Sequence, residues 1–558
     1  METIKKKLDC DLIGVGKTLY NSSCAYYDGS RMEVLISERY NKKKYSGEWP
    51  WRSLELLKSQ IDRYVAAECR DVLTAKRFEL ALENYSPFSE FIESKDLADF
   101  KSTDKIISLS HHYAHALCGL TFSNVESAVI CVIDGAGTNA ENFSELVSLE
   151  SESKFISTGK SYEGVSFYLY ENNSLRCLAK SFFPFYSLEK PNKVVSNSPG
   201  MLFEYVSEVI FNSKHDAGKV MGLSVFEEPI EYASVEEFLK DIKWEKSFLG
   251  SSKESWENSI HLDYYKKLAA SAQRLLEKII LKEVMNYSNH SDNLILVGGA
   301  AMNCVNNMKL VENSSFKRVE VAPCPGDDGI SIGLVQYLYF LKERKYFKLS
   351  SPFLGRDTAY INEEKIQSVF KNFKIKNFGS DIIEYTANLL EQGKILGWFQ
   401  GRSEIGARAL GNRSIIARVD RKGLKSYLNE NIKFREAFRP YACSCLKEYS
   451  HHYFEVDEKF RSPYMSFTIP IKKEWRESFQ EVLHIDGTSR AQFVSPDINK
   501  KYHELISAVG DKTGVYSVLN TSLNVMGQPI VETLEDLLLF FETSNVDGVV
   551  IGDFFVTR

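Results

Sequence analysis

Ala128-Val-Ile-Cys-Val-Ile-Asp-Gly-Ala-Gly-Thr138 is a short, continuously apolar run that ends in a carboxylate and a glycine-rich turn. A run of that length, bounded by turn residues, reads as a strand buried on both faces, and the turn after it as a loop that a phosphate can approach. Asn293-Leu-Ile-Leu-Val-Gly-Gly299 repeats the device 165 residues later, behind a helical period over Lys266–Asn286. Buried strands separated by amphipathic helices indicate an α/β fold. Upstream, residues 11–37 read as a hairpin: an apolar run from Asp11, then Cys24-Ala-Tyr-Tyr, then Asp28-Gly29 as the turn before Met32-Glu-Val-Leu-Ile. Residues 51–100, rich in Leu, Ala and Glu, have a helical period, and residues 226–262, rich in Glu and Ser, read as an insertion. Pro, Gly and Ser interrupt Tyr346–Asn362, which places a domain boundary there. Beyond it, Lys394-Ile-Leu-Gly-Trp-Phe, Thr513-Gly-Val-Tyr-Ser-Val-Leu and Gly548-Val-Val-Ile-Gly are expected strands of a second α/β unit. The expected domains are 1–350 and 351–558.

The bulk composition agrees with this division. A chain of 558 residues exceeds one hydrophobic core, and 44% hydrophobic content supports globular folding. The net charge of −6 argues against a general nucleic-acid binder. The Met1-Glu-Thr-Ile-Lys-Lys-Lys start lacks the apolar stretch of a signal peptide, and no run of 18 apolar residues predicts a membrane span. Ten cysteines are scattered without a Cys-x-x-Cys pair and are expected to be reduced thiols. A soluble, cytoplasmic protein is the expectation.

Ser110-His-His-Tyr-Ala-His-Ala116 places His111 and His115 at i, i+4, on one face of a helix and within reach of one ion. Histidine is scarce, ten in the chain, so three within five residues is a concentration. Asp134, at the end of its apolar run, and Asp327, in Pro323-Cys-Pro-Gly-Asp-Asp-Gly329, are the matching carboxylates. Two imidazoles with two carboxylates suit Fe, Mn or Zn rather than Mg or Ca. In Leu296-Val-Gly-Gly-Ala-Ala-Met-Asn303, Gly298 and Gly299 leave room for a ring or phosphate, with Asn303 as a polar anchor. Asp216-Ala-Gly-Lys-Val-Met-Gly222 puts Lys219 among groups suited to a ribose or phosphate. Gly14-Val-Gly-Lys-Thr18 mimics a phosphate loop but lacks the upstream glycine and is discounted.

The C-terminal half carries the cations. Gly397-Trp-Phe-Gln-Gly-Arg-Ser-Glu-Ile-Gly-Ala-Arg-Ala-Leu-Gly-Asn-Arg413 and Ile432-Lys-Phe-Arg-Glu-Ala-Phe-Arg-Pro440 set Arg402, Arg408, Arg413, Lys433, Arg435 and Arg439 among glycines and aromatics. Guanidinium forks bind phosphate in a bidentate manner, and an acidic protein has no general need for such a cluster. A ligand with several phosphate oxygens is expected there.

These motifs, in this order, resemble the O-carbamoyltransferases of antibiotic and nodulation-factor biosynthesis over nearly the full length. The resemblance is carried by His111-His-x-x-His115, Asp134-Gly135, Gly218-Lys-Val-Met-Gly-Leu223, Gly298-Gly-x-Ala-x-Asn303, Gly326-Asp-x-Gly329, Gly397-Trp-Phe-Gln-Gly-Arg402, Arg408-Ala-Leu-Gly-Asn-Arg-Ser-Ile415, Arg435-Glu-x-Phe-Arg-Pro440, Asp486-Gly-Thr488 and Leu519-Asn-Thr-Ser522. It implies an actin/hexokinase-like (ASKHA) N-terminal domain, like the tRNA threonylcarbamoyl transferase, fused to a domain like carbamoyl-adenylate synthase. It also implies a two-step reaction: carbamoyl phosphate and ATP give O-carbamoyladenylate and pyrophosphate, and a hydroxyl of a small-molecule acceptor then takes the carbamoyl group while AMP leaves. On that resemblance Arg408, Lys433, Arg439, Asn520 and Ser522 serve catalysis. Gly135, Lys219, Gly298, Gly299, Asn303, Arg402, Arg413, Arg435 and Arg490 hold nucleotide. His111, His115, Asp134 and Asp327 ligate an iron-like divalent metal acting as a Lewis acid, Mg2+ accompanies ATP, and a homodimer would be unsurprising.

The departures fall on the acceptor side. Family members carry a histidine where Tyr20 stands in Leu19-Tyr-Asn-Ser-Ser-Cys24, and another where Tyr45 ends Glu38-Arg-Tyr-Asn-Lys-Lys-Lys-Tyr45. An ordinary tyrosine, with a pKa of about 10, is a poor base, which leaves His112 or metal activation of the acceptor for that role. Gly406-Ala-Arg408 for Gly-Pro-Arg and Gly527-Gln for Gly-Glu are minor. Rival readings are an RNA-modifying threonylcarbamoyl-type transferase, a non-enzymatic sensor of nucleotide or carbamoyl phosphate, and a sugar-kinase-like ATPase.

Overall fold

Asp11–Gly16 (β1), Ser23–Tyr27 (β2) and Met32–Ile36 (β3) form an antiparallel meander. Its second turn is locked by the Asp28 carboxylate, which accepts from the backbone N–H of Ser30 (2.8 Å) and Arg31 (2.7 Å). Tyr64–Arg70 (β4) and Ile106–Ser110 (β5) add parallel to β1, giving the order β3-β2-β1-β4-β5. The computed structural model describes residues 11–18, 20–48, 50, 52, 53, 56, 64–70, 106–140, 154–156, 160–188, 193–249, 255–356, 358 and 361–558.

β4 corrects the helical reading of residues 51–100. Ala66, Ala67 and Cys69 are buried, and the strand fills the place between β1 and β5. Helix-favouring Ala and Glu yield where backbone pairing on both sides is available. Arg52, Ser53 and Leu56 are helical as expected, and the rest of that reading, residues 51, 54, 55, 57–63 and 71–100, lies outside the described residues, as does Leu19.

A second sheet repeats the plan. Ala128–Ile133 (β6), Lys154–Ile156 (β7), Ser161–Glu171 (β8), Ser174–Ser187 (β9), Val194–Ser196 (β10), Asn293–Val297 (β11) and Arg318–Val321 (β12) are ordered β10-β9-β8-β6-β11-β12, with β7 on β9. Its core, β9-β8-β6-β11-β12, has the meander and the two parallel additions of the first sheet. Two sheets of one topology in succession make this unit actin/hexokinase-like. The repeat has a consequence for the site: the helix His111–Thr121 follows β5, and the loop with Asp327 and the helix Ile330–Glu343 follow the equivalent strand β12. These two helices pack together with every residue of the first buried. Gly333 allows the approach, since a Cβ there would collide with the Ala114 carbonyl.

The chain divides into two compact units, Met1–Ser37 with Tyr45–Leu349, and Glu38–Lys44 with Ser350–Arg558. The second is built on nine strands: Lys374–Asn377 (β13), Leu396–Phe399 (β14), Arg413–Arg418 (β15), Ala442–Leu446 (β16), Thr468–Pro470 (β17), Thr488–Val494 (β18), Ser517–Ser522 (β19), Gly548–Ile551 (β20) and Phe554–Thr557 (β21). Their order is β13-β21-β20-β14-β15-β19-β16-β18-β17. The helices Ile382–Glu391 and Pro496–Thr513 cover one face, where Trp398, Ile416, Leu446, Val494, Val518 and Val550 meet Leu505, Ile506 and Val509. Among the described residues no helix is long and apolar enough to cross a membrane.

The helix contact at Gly333 predicts that Gly333→Ala lowers stability by roughly 1–3 kcal/mol through overpacking. A drop in thermal midpoint, measured calorimetrically, checks it.

Candidate functional site

Four side chains converge in the first unit. The Nε2 atoms of His111 and His115 stand 3.1 Å apart, as the i, i+4 spacing dictates. Asp134, at the C-terminal end of β6, brings Oδ2 to 3.2 Å from His111 and 3.0 Å from His115. Asp327 Oδ1 lies 3.4 and 3.5 Å from the same nitrogens. All four ligand atoms are within 4.8 Å of one another.

The electrostatics of this group call for positive charge. Burial opposes a charged imidazole, but the Cys69 sulfur and the two carboxylates outweigh it and hold His111 above its ordinary range. Burial would raise Asp134, and the two imidazoles hold it well below the usual carboxylate range. Protons on the imidazoles or a cation between the donors meets the same demand. Ligands bound to one first-row ion at about 2.0–2.2 Å stand roughly 3–3.5 Å apart, and the bonded pairs here are spaced 3.0–3.5 Å. The residues present fit a divalent metal.

The surroundings orient the donors. Nδ1 of His111 is 3.5 Å from Cys69 Sγ, and its backbone N–H donates to Thr138 Oγ1 at 2.9 Å. Glu163, buried and pulled down to about 2 by Lys180 against the effect of burial, accepts from the N–H groups of His112 (3.2 Å) and Thr138 (3.0 Å). His112 itself is fully buried, with Nδ1 2.7 Å from Ser166 Oγ, and burial takes its pKa down to about 3. It faces the fold rather than an incoming acceptor, which removes it as the candidate base.

Gly135 donates its N–H to Asp134 Oδ1 at 2.7 Å, and Gly299 lies against the same carboxylate oxygen. Gly298, at φ +89°, donates to the Pro325 carbonyl at 2.7 Å and so ties the β11 loop to the loop that leads to Asp327. Asn303 caps the helix Cys304–Asn313, accepting from Asn306 N–H at 3.0 Å and donating to Gln273 at 2.8 Å. Lys219 pairs with Asp216 at 3.1 Å.

In the second unit one face of the sheet divides into an apolar half under the helices and a polar half. Asn520, Ala442, Arg490 and Thr468 form one row across β19, β16, β18 and β17, and Ser522 lies on the same face. Asn520 Nδ2 donates to Ser444 Oγ (2.9 Å) and to the carbonyl of Ala409 (3.1 Å), while Gln492 donates to the Leu410 carbonyl (2.9 Å). The loop bearing Arg408 is thereby fastened over the polar half.

Lys433 is buried, and its ammonium donates to Asn524 Oδ1 (2.6 Å) and to the carbonyls of Ser522 (2.8 Å) and Asn524 (2.9 Å). Burial, and after it Arg435, Arg439 and Lys44, hold its pKa well below the ordinary range. Arg435 stacks on Tyr441 at 4.1 Å and is brought down to about 10, mainly by burial. Arg439 remains partly exposed, 3.7 Å from Glu436.

Two arginines of the cluster are turned to the protein's own backbone. Arg402 donates to the carbonyls of Gly355 (2.6 Å) and Leu354 (2.8 Å). Arg413 is fully buried, 3.7 Å over the Phe399 ring, and donates to the Gln400 carbonyl at 2.7 Å. The sequence reading passed over Glu404, which accepts from the N–H groups of Leu410, Asn412 (3.3 Å) and Arg413 (3.3 Å). It also passed over Arg39, which binds Glu532 (3.3 Å) and the Gly406 carbonyl (3.1 Å). Each stands among other charged residues, Arg39 between Glu38 and Lys42–Lys44 and Glu404 between Arg402 and Arg408, so nothing local in the chain singled it out.

Residues 38–335 match the carbamoyltransferase N-terminus family and residues 387–558 the carbamoyltransferase C-terminus family. Nodulation protein NolNO of Sinorhizobium fredii is 29% identical over 95% of this chain and 78% of its own length. The 3'-hydroxymethylcephem-O-carbamoyltransferase of Amycolatopsis lactamdurans is 28% identical over 62% of this chain and 65% of its own. Among solved structures, T. kodakarensis HypF aligns with a TM-score of 0.38 and 13% identity over 60% of this chain and 48% of its own. With both family domains matched in order, the chain belongs to the carbamoyltransferase family and is a carbamoyltransferase.

Proposed function

We propose that the protein is an ATP-dependent O-carbamoyltransferase working in two half-reactions, one in each unit. In the second unit water hydrolyses carbamoyl phosphate to carbamate and phosphate. A carbamate oxygen then attacks the α-phosphorus of Mg2+-bound ATP, pyrophosphate leaves, and O-carbamoyladenylate results. The observation that carries this reading is that Lys433, Arg435 and Arg439 lie on one short segment, with Lys433 Nζ held at Ser522 and Asn524 beside the polar half of the sheet, an arrangement of cations that a polyanionic ligand suits. Arg408 and Arg439 would meet phosphate oxygens as charge develops on them, and Asn520 and Ser522 would face the planar carbamoyl group. Arg402, Arg413, Glu404 and Arg39 hold the backbone around Arg408 in place.

In the first unit the adenylate is consumed. An acceptor hydroxyl oxygen bonds to the carbamoyl carbon, the bond from that carbon to the phosphate oxygen breaks, and AMP departs with the electron pair. His111, His115, Asp134 and Asp327 would hold a divalent metal, with Fe2+ favoured and Mn2+ or Zn2+ fitting the same donors, which supplies a Lewis acid when bound. Gly135, Gly298 and Gly299 leave the Asp134 carboxylate approachable, as a nucleotide phosphate requires. The Amycolatopsis relative is a 3'-hydroxymethylcephem-O-carbamoyltransferase, which supports a small-molecule hydroxyl acceptor here: a natural product, sugar or nucleoside.

Pyrophosphate release from ATP, measured without acceptor, should depend on carbamoyl phosphate. Arg408→Ala and Arg439→Ala should each lower its kcat/KM by roughly 100- to 1000-fold, the usual loss of one preorganised charge contact. ATP binding with no release in any condition would sink the reading. His115→Ala and Asp327→Ala should lose bound metal by elemental analysis and abolish carbamoyl transfer, with carbamoyl phosphate-dependent pyrophosphate release continuing.

A further inference from the structure

Neither Tyr20 nor the buried His112 can readily take a proton from an acceptor. Tyr20 OH already donates to Glu204 Oε2 at 2.6 Å. Its phenol is held far from ionising by burial, and after it by Glu204, Asp327 and Asp134. Yet an exposed imidazole stands beside it. The His215 ring meets Tyr20 edge-on, with centroids 5.4 Å apart, and stacks on Tyr45 at 5.5 Å and 12°. Tyr45 holds the left-handed conformation, φ +56°, a strained state that a non-glycine residue keeps only when its surroundings impose it.

The cluster adjoins the metal ligands through a short path. Glu204 lies in the first turn of the helix Leu202–Phe211 and also pairs with Lys214 at 3.0 Å. The turn before that helix rests on Asp134: Ser198 Oγ donates to the Asp134 carbonyl at 3.0 Å, and Gly200 packs so close that a Cβ would collide with it. His215 packs against Tyr20 and Tyr45, and Lys214 and Asp216 flank it in the chain. Glu204 is engaged by Tyr20 and Lys214, and Asp216 by Lys219. Among the described residues the His215 ring nitrogens carry no hydrogen bond, so they are available to a ligand.

We propose that Tyr20, His215 and Tyr45 form the acceptor subsite of the first unit, for a hydroxyl-bearing ring compound, and that His215 takes the proton from the reacting hydroxyl. The rings supply an apolar wall for the face of the acceptor, and Glu204 and Lys214 supply polar contacts at its edge. As the acceptor oxygen bonds to the carbamoyl carbon its proton passes to a His215 ring nitrogen, AMP leaves, and the imidazolium returns the proton to water. The inference rests on the two-step reading above.

The test uses the full-length enzyme with ATP, Mg2+ and carbon-labelled carbamoyl phosphate. Water, glycerol and methyl α-D-glucopyranoside serve as hydroxyl probes, and pyrophosphate release is followed in the same tube. His215→Gln should lower carbamoyl transfer by roughly 100-fold in kcat, the contribution of one positioned base. His215→Gly should regain transfer when free imidazole is added, which a merely structural role would not produce. Tyr20→Phe, which keeps the ring, should mainly raise KM for the glucoside. Unchanged transfer in His215→Gln, no response of His215→Gly to imidazole, or wild-type enzyme that releases pyrophosphate but carbamoylates none of the probes would overturn the proposal. No carbamoyl phosphate-dependent pyrophosphate release from the wild type would overturn the two-step reading itself, and this inference with it.

Discussion

The carboxylate of Asp134 touches both imidazoles of the His111 helix, and much of the first unit is arranged to keep it there. Its strand, β6, is buried along its whole length, and its backbone carbonyl is held by Ser198. The helix it faces is pinned by Glu163 at the N-terminus and by the helix Ile330–Glu343 along its side. A buried carboxylate is costly unless its charge is balanced, and here the balance comes from two imidazoles and whatever positive charge they share. The need for positive charge beside Asp134 and Asp327 is thus built into the packing of this unit.

The repeat of sheet topology explains why the donors meet. His111 and His115 come from the element after β5, and Asp327 from the loop after β12, the corresponding strand of the second sheet. Two copies of one plan, packed through their equivalent helices, bring equivalent chain segments to one point. Asp134 joins from the end of the leading strand of the second copy.

The second unit solves a different problem, holding like charges together. Lys433 is satisfied by backbone and amide oxygens rather than by carboxylates, and of the three cations Arg439 has Glu436 beside it at 3.7 Å. Other carboxylates are used one layer away. Glu404 gathers the N–H groups of Leu410, Asn412 and Arg413, and Glu532 engages Arg39, which reaches the Gly406 carbonyl. Arg39 belongs to a seven-residue segment, Glu38–Lys44, that packs with the second unit although the chain on either side of it belongs to the first.

The chain order alone determined the kinds of donor and the local elements that carry them. Helical spacing puts His111 and His115 on one face wherever that helix lies, and an apolar run followed by Asp-Gly marks a buried strand with an accessible end. The cationic character of residues 402–439 was equally plain. Composition misled at β4, where alanines lie in a strand because two neighbouring strands offer their backbones, and it gave no hint that Arg402 and Arg413 turn toward carbonyls. Nor could it show that His215 comes to lie between Tyr20 and Tyr45, since neither lies within 150 residues of it in the chain. Periodicity encodes which face of an element is buried. Which partner that face meets is settled only by packing, where sheet order and helix approach fix the distances on which the chemistry depends.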